Sequence, residues 1–168
     1  ILSQKSSDKT NTLNKVKKNV HENINCILPL PKRRAISKTD SALKALRETD
    51  IENIHEQIKS KLSRPYCKIE VEKANTILIN SIRDIKKKIS LSNFNTNWNI
   101  YIILEAEKLC YPRSEAANAL LKVLEEPNEN NLFILVTSNI SQILETVTSR
   151  CSKIYFPKIK QKDIVAYI

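Results

Sequence analysis

Apolar positions along this chain come in two alternating kinds of run. Short, nearly continuous ones occur at Asn23–Leu30, where Ile24, Cys26, Ile27 and Leu28 are closed off by Pro29 and Pro31, at Ile100–Leu104 and at Leu132–Thr137. Their length and lack of polar alternation predict buried strands, and the prolines end the first by denying a ladder donor. Between them apolar residues recur every three or four positions. Leu43, Leu46, Ile51, Ile54, Ile58 and Leu62 predict a helix over Ser41–Leu62 in two pieces broken near Thr49–Asp50, and Val71, Ala74, Ile77, Leu78, Ile82, Ile85 and Ile89 predict another over Val71–Ile89. Ser114 has the character of an N-cap and Pro127 of a stop for a helix lined by Ala116, Leu120 and Leu124, with Ala117 and Leu121 beside them. Ile143, Leu144 and Val147 mark a short helix within Ile140–Thr148, and Lys153–Phe156 reads as a last strand before Pro157. Strands alternating with helices predict an α/β domain with a mostly parallel sheet.

Composition narrows the class. At 168 residues and 41% hydrophobic, the chain suits one domain with a true core. A charged content of 27% and strand-like runs far short of the ~20 apolar residues of a spanning helix argue against a membrane partner. With no secretory pattern, a soluble, cytoplasmic protein is expected, its true start preceding Ile1. Cys26, Cys67, Cys110 and Cys151 are widely scattered, without Cys-x-x-Cys and with only His21 and His55 to help, so buried or half-buried thiols are expected and no metal site.

The net charge of +10 lies entirely in the first 97 residues, which hold 20 Lys/Arg against 10 Asp/Glu. Lys15, Lys17 and Lys18, then Lys32, Arg33 and Arg34, then Lys86, Lys87 and Lys88 could contact phosphates of nucleic acid, although a solvated lysine-rich surface is the favoured reading. There is no glycine anywhere. A glycine-rich loop that lets backbone amides approach a nucleotide's phosphates is therefore not built from these residues.

The segments EAEKL at Glu105–Leu109, SEAANALLKVLEEP from Ser114 to Pro127, LFILVTSN at Leu132–Asn139 and Ser149-Arg150-Cys151 resemble, in order and spacing, the AAA+ ATPase module of bacterial DNA polymerase III clamp-loader subunits, delta-prime most of all and gamma/tau next. The likeness is strong from Asn99 to Pro157; earlier, His21-Glu22-Asn23-Ile24 is similar to the His-Pro-Asp segment that leads into the family's second strand, with Glu22 in place of proline. The resemblance implies a three-layer, P-loop-NTPase-like fold lacking its first strand and phosphate loop, with a gap between its third and last strands. On that plan residues 1–20 are a poorly ordered polar lead-in, 21–157 the AAA+ core, and 158–168 a linker with the first turns of a helical lid.

Two departures shape the implied role. Active members end the strand matching Ile100–Leu104 in Asp-Glu, the aspartate holding magnesium and the glutamate polarising the attacking water. Here the pair is Leu104-Glu105, and leucine offers no oxygen to a hard cation. The Gly-x-x-x-x-Gly-Lys-Thr loop, if it exists, lies upstream of Ile1. The resemblance thus implies a non-hydrolysing subunit that binds no cofactor itself, while ATP and magnesium sit on a neighbouring gamma/tau-like ATPase. Arg150, flanked by Ser149 and Cys151, is the implied finger reaching that nucleotide, a task that suits a planar, permanently charged guanidinium. Thr137 and Ser138 leave the third strand where the family keeps a polar nucleotide sensor, or equally supply only turn-forming hydroxyls, Glu105 is a degenerate catalytic carboxylate or a partner of Lys108, and Glu125 and Glu126 match an acidic helix end that holds structure or meets a neighbour. A delta-like subunit, a sliding clamp and primer-template DNA complete the implied partners. Two rival readings remain open: a truncated gamma/tau-like ATPase, and a basic DNA-binding module.

Overall fold

The computed structural model describes residues 10–12, 14–15, 21–64, 67–91, 98–125 and 130–159. Three strands, β1 (Ile24–Ile27), β2 (Asn99–Ile103) and β3 (Asn131–Leu135), form a sheet in the order β1-β2-β3. Both pairings are parallel, with Ile24, Ile100 and Leu132 in register across it. The helices among the described residues from 21 onward are α1 (Glu48–Ser63), α2 (Ile79–Leu91), α3 (Glu115–Glu125) and the single turn α4 (Glu145–Thr148). The α/β class with a parallel sheet, expected from the alternation of runs, is the class observed.

Register assigns each side chain to a face. Ile27, Tyr101, Ile103, Phe133 and Leu135 point to one side, where Ile82, Ile85 and Ile89 of α2, Ala117, Leu120 and Val123 of α3 and Val147 of α4 close a core around them. Tyr101 and Phe133 stack across β2 and β3 with ring centroids 5.1 Å apart. A second cluster, built from Leu28, Leu30, Ala42, Ala45, Leu46, Ile54 and Leu78, ties α1 to the end of β1. On the opposite face Ile100 and Ile102 are half-buried, while Leu132 and Ile134 are 44% and 41% exposed. The continuous run in β2 predicts helices over both faces; the main core lies on one.

Several boundaries differ from the pattern-based expectation. The break in the first helical stretch falls at Leu46–Arg47, between a 3-10 turn over Ala42–Ala45 and α1, because the Asp50 carboxylate accepts the Arg47 backbone N–H at 3.1 Å and so begins the helix. α2 starts at Ile79, not Val71, since Lys73 at φ 63° turns the chain into a loop that buries Ala74 and Ile77 at the same spacing a helix would. Ile140–Gln142 is a 3-10 turn separated from α4 by Ile143 and Leu144. Lys153–Phe156 is not a strand; Ile154, Tyr155 and Phe156 are 80%, 85% and 83% exposed, with no strand beside them among the described residues. Nor are all four thiols covered, as Cys26 and Cys67 are exposed. Most of the lead-in at 1–20, Glu126 and Pro127, and the residues expected to start a lid lie outside the described residues.

Candidate functional site

Parallel strands send all their carboxyl ends to one edge of the sheet, where α/β proteins bind ligands. At that edge β2 leaves through Leu104 and Glu105, and Glu105 takes the left-handed conformation at φ 51° that turns the chain into a 3-10 turn over Ala106–Leu109. For a residue with a Cβ this costs about 1–2 kcal/mol. The turn is secured by the Ala106 N–H donating to the Val136 carbonyl at 2.9 Å. Oε2 of Glu105 lies 3.0 Å from Lys108 Nζ and 3.6 Å from Lys68 Nζ, and Lys108 donates also to the Ala74 carbonyl at 3.0 Å. A cleft of about 590 Å³ opens here, with Leu28, Lys68, Leu104, Glu105, Lys108 and Val136 in its lining.

Thr137 and Ser138 leave β3 at the same edge, and both donate to Glu107, from Thr137 Oγ1 at 2.5 Å and from Ser138 Oγ at 3.2 Å. Thr137 Oγ1 in turn accepts the Asn139 N–H at 3.0 Å. Nothing in the local sequence pattern around Glu107 marks it as the acceptor of these two hydroxyls. The signal lies elsewhere: two adjacent hydroxyls at a strand exit need an acceptor, and Glu107 lies in the segment that follows the neighbouring strand.

Arg150 belongs to the other end of the sheet. In a β-α-β unit with parallel strands the helix runs back, so α3 starts near the carboxyl end of β2 and ends near the amino end of β3. Glu125, its last residue, is therefore at the amino edge, and Arg150 Nη2 donates to Glu125 Oε1 at 2.9 Å while Nη1 donates to the Thr146 carbonyl at 2.8 Å. Val147, fully buried, pins α4 to the core, and the turn that follows projects Arg150 outward with a side-chain exposure of 39%. Ser149 Oγ donates to the Thr146 carbonyl at 3.1 Å, and Cys151 is half-buried with its thiol pKa raised by burial. Five residues of strand at ~3.3 Å each put about 15 Å between this edge and Glu105, Thr137 and Ser138. The candidate residues thus form two groups, one per edge.

The basic clusters are partly consumed internally. Arg33 binds Asp50 through Nη2 at 2.9 Å and Nε at 3.2 Å, Lys87 donates to the Thr39 carbonyl at 2.8 Å, and Lys88 to Asn25 Oδ1 at 2.6 Å. Among the described residues no three His, Cys, Asp or Glu side chains converge as metal ligands, and no helix is long and apolar enough to cross a membrane.

A parallel-sheet α/β domain carrying the Glu105–Leu109, Leu132–Asn139 and Ser149–Cys151 segments at its two edges is the class these features define. The family model described as DNA polymerase III, delta subunit, matches residues 2–160, and the chain belongs to that family. Over 97 residues it is 38% identical to the DNA polymerase III subunit tau of Bacillus subtilis, a match covering 58% of this chain and 17% of that one. With subunit delta' of the same organism it shares 32% identity over 83 residues, 49% of this chain and 24% of the relative. Subunit gamma of Buchnera aphidicola from Schizaphis graminum is 31% identical over 100 residues, 60% of this chain and 27% of the relative. The matches thus span between 17% and 27% of each relative's length. A crystal structure of a DNA polymerase III gamma subunit-related protein from Thermotoga maritima is similar with a TM-score of 0.47 and 21% identity, over 93% of this chain and 49% of that one.

Proposed function

We propose that this chain works as a non-hydrolysing, delta-prime-like subunit of a DNA polymerase III clamp loader, completing with Arg150 the ATP site of an adjoining gamma/tau-like subunit. The assembly, with a delta-like subunit, loads a ring-shaped sliding clamp onto primer-template DNA. The observation that carries this reading is the half-exposed side chain of Arg150 at the sheet edge opposite Glu105, Thr137 and Ser138. A nucleotide at the carboxyl edge of this chain's own sheet is about 15 Å of strand away, whereas one held by a neighbour against the amino edge meets Arg150 directly. There the cation offsets charge developing on the γ-phosphate, a contribution of roughly 10³- to 10⁵-fold for such fingers.

The carboxyl edge supports the non-hydrolysing half of the proposal. Glu105 is ion-paired with Lys108 and Lys68, and the Leu104 side chain beside it has no oxygen to give a magnesium ion. ATP and magnesium then belong to the neighbour, and Thr137 and Ser138, committed to Glu107, serve the strand exit rather than a nucleotide. Substituting Arg150→Ala is expected to slow ATP turnover at the adjoining site by about 10³-fold or more while subunit assembly persists, and Arg150→Lys to recover little of it. Turnover by the assembled loader, measured beside its subunit stoichiometry, checks this; unchanged turnover removes the finger role. The identity with subunit tau favours one rival, an ATP-hydrolysing gamma/tau-like chain. That reading requires the full-length protein to bind ATP by itself, which equilibrium binding with the isolated subunit decides.

A further inference from the structure

The Arg150 side chain is half-exposed, yet its guanidinium already has partners. Its two terminal nitrogens are taken by Glu125 Oε1 at 2.9 Å and the Thr146 carbonyl at 2.8 Å. Nη2, one of the two terminal donors that fit phosphate oxygens, is thus already facing an anion. Glu125 is the last residue of α3, where the helix presents its carbonyl ends. A carboxylate is unfavourable there on its own, and a neighbouring cation offsets it. Both partners are half-exposed, at 39% and 48%, so the pair is hydrated, screened by salt and easily exchanged.

We infer that Glu125 is a positioning residue that parks Arg150 against its own subunit, and that a nucleotide phosphate arriving at the amino edge takes Arg150 over by replacing Glu125 on the same donors. This rests on the finger reading above and adds the regulation of that site. The Thr146 carbonyl, on the same turn as Arg150, keeps the side chain directed along α4 in either state, so the exchange involves Nη2 and needs no backbone movement. A phosphate carries more charge than the carboxylate it replaces, which gives the transfer its direction. While no nucleotide is present, the clasp keeps the guanidinium from other anions.

The test is Glu125→Gln in the assembled loader, alone and together with Arg150→Ala. Glutamine keeps the size and can still accept a hydrogen bond but carries no charge. Releasing a pair of this kind is expected to raise ATP turnover at subsaturating nucleotide about two- to five-fold. The gain should shrink as salt rises and vanish in the Arg150→Ala background. A loss or no change with Glu125→Gln, or a gain that survives without Arg150, overturns the inference. A purely structural tie between α3 and α4 shows itself instead as a lowered melting midpoint without faster turnover, which overturns it also. If Arg150→Ala alone leaves turnover intact, the finger reading has failed, a result separate from failure of the clasp.

Discussion

Asp50 sits between Arg33, which grips both of its oxygens, and the first turn of α1, whose Arg47 N–H it accepts. Hydrogen bonding from Arg33 is the main reason its pKa lies below the ordinary carboxylate value, with the Arg47 amide second. In the unfolded chain the group titrates near pH 3.9. Between that value and the lower folded one the unfolded state binds more protons, so stability rises with pH across the window and is lost as acid drives the pH down through it. Asp50→Asn is therefore expected to lower the urea midpoint at pH 7, with the difference from wild type closing as the pH falls below about 4. Parallel urea titrations across that range check the sign. A difference that stays constant with pH assigns the loss to packing instead of charge.

At the scale of elements, burial sorts positions that the sequence alone treats as equal. Leu120 in α3 is fully buried against β2 and α2, whereas Leu132 at the start of β3 is 44% exposed on the other face. Leu120→Ala is expected to cost about 2–5 kcal/mol through lost transfer energy and a residual cavity. Leu132→Ala should stay within about 0.5 kcal/mol, as for other surface positions. Denaturant unfolding of the two variants separates them. Their contrast also shows what could be read beforehand. α3 was legible because one stripe of a regular helix does all of its burying. Val71, Ala74, Ile77 and Leu78 keep the same intervals while Lys73 at φ 63° breaks the helix, and no spacing rule reports a backbone dihedral. Lys153–Phe156 has strand composition, but a strand exists only where another offers its edge, and that is settled by residues far away in sequence. The site divides likewise: Arg150 and Glu125 each stand out within local motifs, yet their contact across 25 positions and the bond from Ser138 to Glu107 across 31 are products of the fold.

For the molecule as a whole, the sheet's second face is the feature with the largest consequence. Register places Ile100 and Ile102 beside Leu132 and Ile134, and Val136 at 46% exposure extends the row past the end of β3. β3 has β2 on one side and no other strand beside it among the described residues, and its apolar side chains on this face are exposed. Edges of this kind pair with other chains unless charged or covered, and apolar patches on this scale mark interaction surfaces. The 168-residue chain by itself is therefore expected to self-associate and to enhance the fluorescence of a hydrophobic dye. Ile134→Lys should suppress both at little cost to stability, about 0.5 kcal/mol or less, because the lysine head reaches water while its stem still covers Ile102. Sedimentation across a concentration series, with dye binding and thermal unfolding of the same samples, measures all three quantities. Should Ile134→Lys unfold the chain instead, this face is a core already covered, and the open edge of β3 is not what drives association.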